Sequence, residues 1–483
     1  MNTASLTKIN DYLYEIPRGA KSGMRVPARI YADEALIAGM DAAVFDQVAN
    51  VAMLPGIMDA ALCMPDGHSG YGFPIGGVAA IDPKEGVISP GGIGFDINCG
   101  IRLVATALTV EEVRPRIREI VDMLYAHVPS GVGEGGAHVF KGARLDEAMI
   151  KGAHWAVENG MGTREDLEYC EENGRMGGAD PDAVSNRARE RGKNQVGSLG
   201  SGNHFLEIQA ALPGDIYDAK TAAGYGIEAG KVYVMIHSGS RAFGHQVATD
   251  YLQKFLSVMG PRYGLSMPDR ELACAPFQSP EGQAYFGAMN CAINIAFLNR
   301  QLIMHGVREV FSRVFGSSWE KLGMRLVYDV CHNTAKLEKL SAGGRERTLL
   351  VHRKGATRAY APGMRDIPSR YAKLGQPVII GGSMESGSYV CAGLPGAREA
   401  FYTTVHGSGR VLSRTQARKR FRGGELRSAM EARGIYVQTS SYPGLAEEAG
   451  AAYKDVDQVV NAAHRAGLAM PVARLSPLGN IKG

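Results

Sequence analysis

The 483-residue sequence is poor in cysteine and contains no long apolar run. A helix that spans a membrane needs about 18 or more consecutive apolar residues, and no such run occurs, so no membrane contact is expected. The first residues, MNTASLTKINDYLYEIPRGAKSG, lack the apolar centre of a signal peptide. The seven cysteines include no CxxC pair, and a chain of this size does not need disulfides. We therefore expect reduced, buried thiols and a cytoplasmic protein.

Two common nucleotide-binding signatures are also missing. No strand is followed by GxGxxG and a helix, and GxxxxGK[ST] does not occur, so neither a dinucleotide fold nor a P-loop is predicted. Net charge is only +4, while 45% of the residues are hydrophobic and 21% are charged. This composition is typical of a globular protein with a large core rather than of a disordered chain.

Glycine, by contrast, is abundant, with 62 residues. The glycines have no collagen-like period and gather in short segments that permit left-handed backbone and close approach of a ligand. The main segments are GYGFPIGG, SPGGIGFDINCG, GSLGSGNHF, IHSGSRAFG, IIGGSMESGS and HGSGR.

Basic residues are concentrated between residues 410 and 433, where the sequence contains eight Lys or Arg and only two acidic residues. A solvated helix face is the ordinary explanation of such a run. Binding to a nucleic-acid backbone is the alternative, because clustered cations release counterions from phosphates.

The periodicity predicts a mixed α/β protein. Thr109 and Glu112 form a predicted capping box before an amphipathic helix, and residues 283–315 form a predicted long helix with an apolar stripe that packs in the core. The segments NHFLEIQA, KVYVMIHSG and RLVYDVCHN alternate as strands.

Each of these strands has a histidine at one end, next to small residues. His204, His237 and His332 are therefore candidates for one shared site, since loops at strand ends collect chemistry in α/β proteins. In FDINCG, Asp96 and Cys99 are close enough for a tight turn to bring carboxylate and thiol together. This donor set suits zinc, manganese or cobalt, and a bridging thiolate would allow two ions. Ordinary packing remains the alternative explanation, as it is for His127, His138, His154, His305 and His464.

Several long motifs occur in a fixed order along the chain: MPDGHSGYGFPIGGVAA, GFDINCGIR, SLGSGNHFLEIQ, MIHSGSRAFGHQ, DVCHNTAKLE, VHRKGATRA, TTVHGSGRVLSR and the terminal GNIKG. Together they resemble the RtcB family of GTP-dependent RNA ligases, which act in tRNA splicing and RNA repair. The resemblance covers residues of about 60–483. It implies a mixed α+β fold, a single large domain over residues 1–483, and a deep cleft for metal and nucleotide.

The resemblance also implies roles for individual residues. Two manganese ions would share Cys99, with Asp96 and His204 holding one ion and His237 and His332 the other. His406 matches the histidine that becomes covalently guanylylated by GTP. The nucleotide pocket would comprise Asn203, Glu207, His332, Asn333, Ser383, Ser388, His406, Gly407, Gly409, Tyr453 and Lys482. We expect Glu207 to read the guanine, and Gly407 and Gly409 to keep side chains away from the nucleotide.

The implied substrate is RNA with a 3′-phosphate or 2′,3′-cyclic phosphate on one end and a 5′-hydroxyl on the other. Arginine binds phosphate bidentately, and the candidates for contact with RNA phosphates are Arg241, Arg353, Lys354, Arg410 and Arg414. An archease-type activator is a further partner that the family suggests.

Two departures from the family pattern bear on specificity. Glu385 and Ser386 stand where the family more often has a glycine and a small residue, and Ser69 stands where glutamine is frequent. A paralogue with altered end specificity is therefore one alternative. A dinuclear phosphoesterase needs the five ligands but not His406 or Lys482, and an RNA-binding protein with a vestigial site needs only the basic segment.

Overall fold

The structure is a computed structural model that describes residues 6–131, 133–136 and 138–483. Helices and strands alternate irregularly along the chain, which confirms the predicted mixed α/β class. The strands, in chain order, are β1 (Thr7–Asn10), β2 (Leu13–Ile16), β3 (Ala28–Tyr31), β4 (Ala61–His68), β5 (Ile75–Ile81), β6 (Val87–Ile88), β7 (Gly100–Thr109), β8 (Phe205–Ala210), β9 (Lys231–Ser238), β10 (Ala275–Pro276), β11 (Arg325–Cys331), β12 (Asn333–Ala342), β13 (Arg345–Lys354), β14 (Ala356–Arg358), β15 (Pro377–Ile380), β16 (Ser388–Gly393), β17 (Thr403–Val405), β18 (Tyr436–Thr439) and β19 (Ala469–Lys482).

The α-helices pack on and between the sheets. They are α1 (Glu34–Ala38), α2 (Ala42–Val51), α3 (Val110–Val113), α4 (Ile117–His127), α5 (Ala143–Lys151), α6 (Ala153–Glu158), α7 (Arg164–Glu168), α8 (Asn186–Gly192), α9 (Ala219–Tyr225), α10 (Arg241–Val258), α11 (Pro280–Phe315), α12 (Arg414–Arg420), α13 (Gly423–Ala432), α14 (Tyr442–Glu447) and α15 (Val456–Arg465).

Two large sheets dominate the described residues. The first has the order β1-β2-β3-β4-β5-β13-β12, and the second has the order β11-β7-β9-β8-β19-β16-β15, with β18 added in parallel to β19. Two small sheets pair β6 with β10 and β14 with β17. Neighbours in the second sheet are otherwise antiparallel.

The register of the second sheet decides where the site forms. Gly100 at the start of β7 pairs with Ser238 at the end of β9 and with Cys331 at the end of β11, while Phe205 at the start of β8 pairs with His237. Antiparallel neighbours place the start of one strand beside the end of the next. The residues at these strand ends, and those that adjoin them in the chain, therefore meet at one end of the sheet.

The predicted elements are largely confirmed. The capping box of Thr109 and Glu112 is present, but it opens only the short α3, because Pro115 follows within a 3₁₀ turn before α4 begins at Ile117. The long helix α11 runs over Pro280–Phe315 and packs in both hydrophobic cores, with its residues up to Leu302 in one and its residues from Ile303 in the other. No helix among the described residues is long and apolar enough to cross a membrane.

Candidate active site

All five predicted metal ligands lie together at the edge of the second sheet. They form two groups, one of Asp96, Cys99 and His204 and the other of Cys99, His237 and His332. Within each group one ligand atom from every residue lies within 4.8 Å of the others, and Cys99 belongs to both. Side chains able to hold two ions with a shared thiolate are thus in place.

The first group is arranged by the loop before β8. Nε2 of His204 lies 2.7 Å from Oδ2 of Asp96 and 3.5 Å from the sulfur of Cys99. On its other side, Nδ1 of His204 lies 2.9 Å from the carbonyl oxygen of Leu199. A carbonyl only accepts, so Nδ1 carries a proton, and Nε2 is the nitrogen that would bind a metal ion shared with the carboxylate and thiol.

The second group joins the ends of β9 and β11. The sulfur of Cys99 lies 3.1 Å from Nε2 of His237, which in turn lies 3.1 Å from Nε2 of His332. The Nδ1 atoms of both histidines and Oδ1 of Asp96 are buried without a hydrogen-bond partner among the described residues. Buried polar atoms without partners are uncommon, and these three all belong to side chains of the two ligand groups.

Burial also sets the charge of these side chains. It lowers the pKa of His237 and His332 well below the ordinary value, and it raises the pKa of the Cys99 thiol well above its ordinary value. Burial would also raise the pKa of Asp96, but His204 outweighs it and the pKa falls to about 2. Neutral imidazoles and a carboxylate are ready to bind a divalent cation, whose charge would also favour the thiolate. The donor set therefore fits the expected metal.

Two hydrogen bonds and the close approach of Gly239 fix the conformation of the FDINCG turn. The amide of Cys99 donates to the carbonyl of Asp96 over 3.0 Å, and Asn98 adopts a left-handed backbone with φ of 54°. The Asn98 side chain donates to the carbonyl of Ile293 over 2.8 Å. A Cβ on Gly239 would lie only 2.2 Å from Oδ1 of Asp96. Glycine at this point of the HSGS segment is thus needed for the carboxylate to approach.

His406 follows β17 and faces the ligand cluster. The centroid of its ring lies 5.0 Å from that of His332. Nδ1 of His406 lies 2.7 Å from Oδ2 of Asp66, and the same oxygen accepts the His406 amide over 3.1 Å. Asp66 is fully buried, so its carboxylate fixes both the ring and the backbone of His406. The MPDGHSG motif itself gives no sign of this role for Asp66, because His406 lies 340 residues away in the chain.

The glycines beside His406 serve close backbone packing. Gly409 has a φ of 74°, and a Cβ there would lie 2.0 Å from the carbonyl oxygen of Asp66. A Cβ on Gly407 would lie 3.0 Å from the carbonyl oxygen of Gly381. The backbone of the Asp66 and Gly381 segments therefore packs closely against both glycines, which also line a cleft over His406.

A cleft of about 230 Å³ opens over His406 and over three of the five candidate metal ligands, Cys99, His237 and His332. Its lining includes most residues of the predicted nucleotide pocket, namely Asn203, His332, Asn333, Ser383, His406, Gly407, Gly409, Tyr453 and Lys482. Asn333 also braces the site, because it donates to the carbonyl of Asp96 over 3.0 Å and accepts from the amide of Gly355 over 2.8 Å. A larger cavity of about 590 Å³ near Lys231 and Trp319 contains none of the predicted residues.

Glu207 and Ser388 lie behind the wall of this cleft. The side-chain amide of Gln209 donates to Oε2 of Glu207 over 2.6 Å and to the Ser388 hydroxyl over 3.2 Å. Oε1 of Glu207 accepts from Asn480 over 2.5 Å. Burial raises the pKa of Glu207 to about 7, although Lys482 opposes the shift.

Glu448 is a member of the cleft that sequence reasoning missed. Its carboxylate accepts from the Tyr453 hydroxyl, lies 3.3 Å from Nζ of Lys482 and lies 3.2 Å from the Arg410 guanidinium. Burial alone would raise the pKa of Glu448, but Lys482, Tyr453 and Arg410 together lower it below its ordinary value. No motif signals this residue, since two adjacent glutamates near a helix end are common on protein surfaces.

The structure separates the predicted phosphate-binding residues into two sets. Arg410 and Arg414 line the cleft, and Arg241 reaches the first ligand group, with a guanidinium nitrogen 3.2 Å from Nδ1 of His204. Arg353 is buried instead, where both of its terminal nitrogens bind Glu338. Lys354 is buried as well.

Lys354 donates to the carbonyls of Tyr71, Phe73 and Gly91. Neither Arg353 nor Lys354 lines the cleft, and both side chains are buried and hydrogen-bonded at the end of β13. The sequence does not distinguish these two residues from exposed cations, because apolar and polar residues do not alternate clearly in VHRKGATRA.

The basic segment forms two helices beside the cleft, α12 and α13. Arg414 and Arg418 leave about half of each side chain exposed, and both lie beside Glu447. The segment thus presents partly exposed cations next to the cleft that contains His406, rather than a separate surface.

Comparisons with known proteins agree with the predicted resemblance. The family described as tRNA-splicing ligase RtcB matches residues 47–483. Proteins named tRNA-splicing ligase RtcB from Thermococcus kodakarensis and Archaeoglobus fulgidus are 53% and 52% identical to the chain, and each alignment covers 99% of both sequences. The RNA-splicing ligase RtcB of Mycobacterium tuberculosis is 50% identical over 440 residues, which is 90% of this chain and all of the relative. With the motifs, the fold and these relatives in agreement, the chain belongs to the RtcB family of ligases.

Proposed function

We propose that the protein is a GTP-dependent RNA ligase that joins a 3′-phosphate or 2′,3′-cyclic phosphate end to a 5′-hydroxyl end. The observation that carries the proposal is the position of His406, whose Nδ1 is held by buried Asp66 while its ring faces a cleft lined by three of the five candidate metal ligands, Cys99, His237 and His332. The names of the relatives, tRNA-splicing and RNA-splicing ligases, support the same reaction class.

The first step forms a bond between His406 and the nucleotide. With Nδ1 engaged by Asp66, Nε2 keeps its lone pair and attacks the α-phosphorus of GTP, and the bond from that phosphorus to pyrophosphate breaks. Two manganese ions, held by the five ligands, would offset phosphate charge and supply an activated water to open a cyclic phosphate. Lys482, Arg410 and Asn203 line the cleft and are suited to bind the triphosphate.

The later steps transfer the GMP group to RNA. An oxygen of the RNA 3′-phosphate attacks the same phosphorus, so the bond to Nε2 breaks and His406 is regenerated. The 5′-hydroxyl oxygen of the second RNA end then attacks the activated 3′-phosphate, and GMP departs. Arg414, exposed beside the cleft, and Arg241, next to His204, are our candidates for holding the RNA phosphates.

The test is covalent labelling. Protein incubated with manganese and GTP labelled at the α-phosphate should acquire acid-labile, alkali-stable label, and His406→Ala should acquire none. His464→Ala removes an exposed histidine on α15 and should be labelled like wild type. A protein that hydrolyses phosphoesters but takes no label would be a dinuclear phosphoesterase, and the ligase proposal would be wrong.

RNA ends test the substrate. We expect joining of 3′-phosphate or 2′,3′-cyclic phosphate ends to 5′-hydroxyl ends and not of 3′-hydroxyl to 5′-phosphate ends. Ser69, exposed next to cleft-lining His68, is where an altered end preference would arise. An archease-type activator and a cytoplasmic location remain predictions, the second in keeping with seven buried cysteines that form no disulfide.

A further inference from the structure

The loop between β15 and β16 is held together by its own hydroxyl groups. The hydroxyl of Ser383 lies 2.9 Å from that of Ser386 and accepts the Ser386 amide over 3.2 Å. The Ser386 hydroxyl in turn accepts the Ser383 amide over 3.0 Å. Gly381 to Met384 line the cleft, so this bonding fixes the shape of one segment of its wall.

Glu385, in the middle of this loop, points away from the cleft. Its Oε1 lies 2.6 Å from the guanidinium of Arg433, which follows α13, and its Oε2 accepts the amide of Gly450 over 2.6 Å. The carboxylate is not among the side chains that line the cleft. It connects the loop to two other parts of the chain.

The Gly450 turn leads directly to another segment of the cleft wall. The amide of Tyr453 donates to the carbonyl of Gly450 over 3.0 Å, and the amide of Lys454 donates to the carbonyl of Gly409 over 2.9 Å. Tyr453 lines the cleft beside Glu448 and Arg410. One carboxylate thus joins the segment that contains Ser383 to the segment that contains Tyr453.

We propose that Glu385 is a positioning residue that fixes the Ser383 loop relative to the Tyr453 turn and so sets the shape of the nucleotide pocket. The inference rests on the proposed function, because it assumes that GTP occupies this cleft. It also accounts for one of the two departures from the family pattern, since Glu385 and Ser386 both stabilise the same loop.

The two bonds of Glu385 are not equal in strength. Arg433 has half of its side chain exposed, and an exposed ion pair contributes little because solvent screens it. The bond to the Gly450 amide is partly buried and is charge-assisted, which makes it the stronger connection. Space is also tight there, because a Cβ on Gly450 would lie 2.7 Å from Oε2 of Glu385.

The experiment measures binding of GTP with manganese by calorimetry, in a His406→Ala background where no covalent step interferes. Glu385→Ala should weaken GTP binding about tenfold, because it removes a charge-assisted bond to the backbone. Glu385→Gln keeps an acceptor for the Gly450 amide, and Arg433→Met removes only the exposed pair, so each should weaken binding less than about threefold. Glu431→Ala, which breaks an ion pair with Arg427 within α13, is the matched control and should bind like the parent.

Gly450→Ala provides a second variant should Glu385→Ala fail to fold. The new methyl group would displace the carboxylate without removing it, and it should also weaken binding about tenfold. In the labelling reaction with His406 intact, Glu385→Ala should raise the KM for GTP and leave the rate at saturating GTP within about twofold.

Each outcome decides between the proposals. If Glu385→Ala and Gly450→Ala both bind GTP as tightly as the parent, or if Glu385→Ala lowers kcat with KM unchanged, the positioning role is wrong. If the parent binds GTP but wild type takes no label, the ligase proposal fails while the positioning role stands on the binding data. If the parent binds no GTP, both are wrong.

Discussion

At the scale of the residue, the two nitrogens of His406 have separate tasks. Nδ1 is occupied by Asp66, and only Nε2 is left to react. The carboxylate selects this tautomer because it accepts and does not donate. An asparagine has the same shape but can donate from its amide nitrogen, so it would not select this tautomer of His406.

Asp66→Asn tests this arrangement. The amide keeps the size of the carboxylate but can present an N–H to Nδ1, which would place the ring proton on Nε2. We expect labelling of the protein by GTP to slow about a hundredfold or more at saturating nucleotide, with the thermal transition close to that of wild type. Single-turnover labelling measures the rate, and Asp11→Asn, which alters an exposed aspartate, is the control. A rate within a few-fold of wild type would assign Asp66 to structure alone.

At the scale of the element, the site depends on how α11 supports the strand ends. Arg300 of α11 is fully buried and donates to the carbonyl of Asn98 over 2.8 Å and to the carbonyl of Ser238 over 3.0 Å. These two residues are the chain neighbours of Cys99 and His237. The same guanidinium binds Asp329, which also pairs with Arg102. One arginine therefore holds the β7 and β9 ends at a fixed distance.

Arg300→Met should remove that support. It leaves two buried carbonyls and Asp329 with fewer donors, and loss of one partner of a buried ion pair costs about 3–5 kcal/mol. We expect the free energy of unfolding to fall by about 3 kcal/mol and manganese to bind more weakly. Denaturant unfolding and manganese titration check both. Arg313→Met alters an exposed arginine on the same helix and should change stability by about 0.5 kcal/mol or less. Equal stability of the two variants would contradict the role.

The sequence predicted the strands and the candidate metal ligands better than it predicted the residues that hold those ligands in place. Strand periodicity located His204, His237 and His332 at strand ends, and the structure places them together because β11, β7, β9 and β8 are antiparallel neighbours in that order. Glu448 escaped notice because no motif contains it, although its partner Tyr453 lies close by in the chain. Asp66 and Arg300 escaped notice because each acts on a residue far away in the chain. Local pattern contains no information on such pairs. The same limit explains Arg353, whose buried partner Glu338 lies on the neighbouring strand.

At the scale of the whole molecule, the site exists only when distant parts of the chain have come together. Cys99 and His332 belong to one ligand group although α11 lies between them in the sequence. Asp66 binds His406, which lies 340 residues further along the chain. Cys99 is the single side chain common to both ligand groups. Whatever binds to one group is therefore connected to the other through one sulfur atom.

Cys99→Ala should consequently remove both ions together. It leaves Asp96 with His204 and His237 with His332, two protein ligands for each ion, which is fewer than the three that metal sites with an open position retain. We expect manganese content after gel filtration to fall to near zero, whereas His332→Ala, which affects only the second group, should retain about half. Cys391→Ala removes a buried cysteine outside the cluster and should keep the full content. If Cys99→Ala keeps the manganese content of wild type, the thiol only packs, and the two groups bind independently of it.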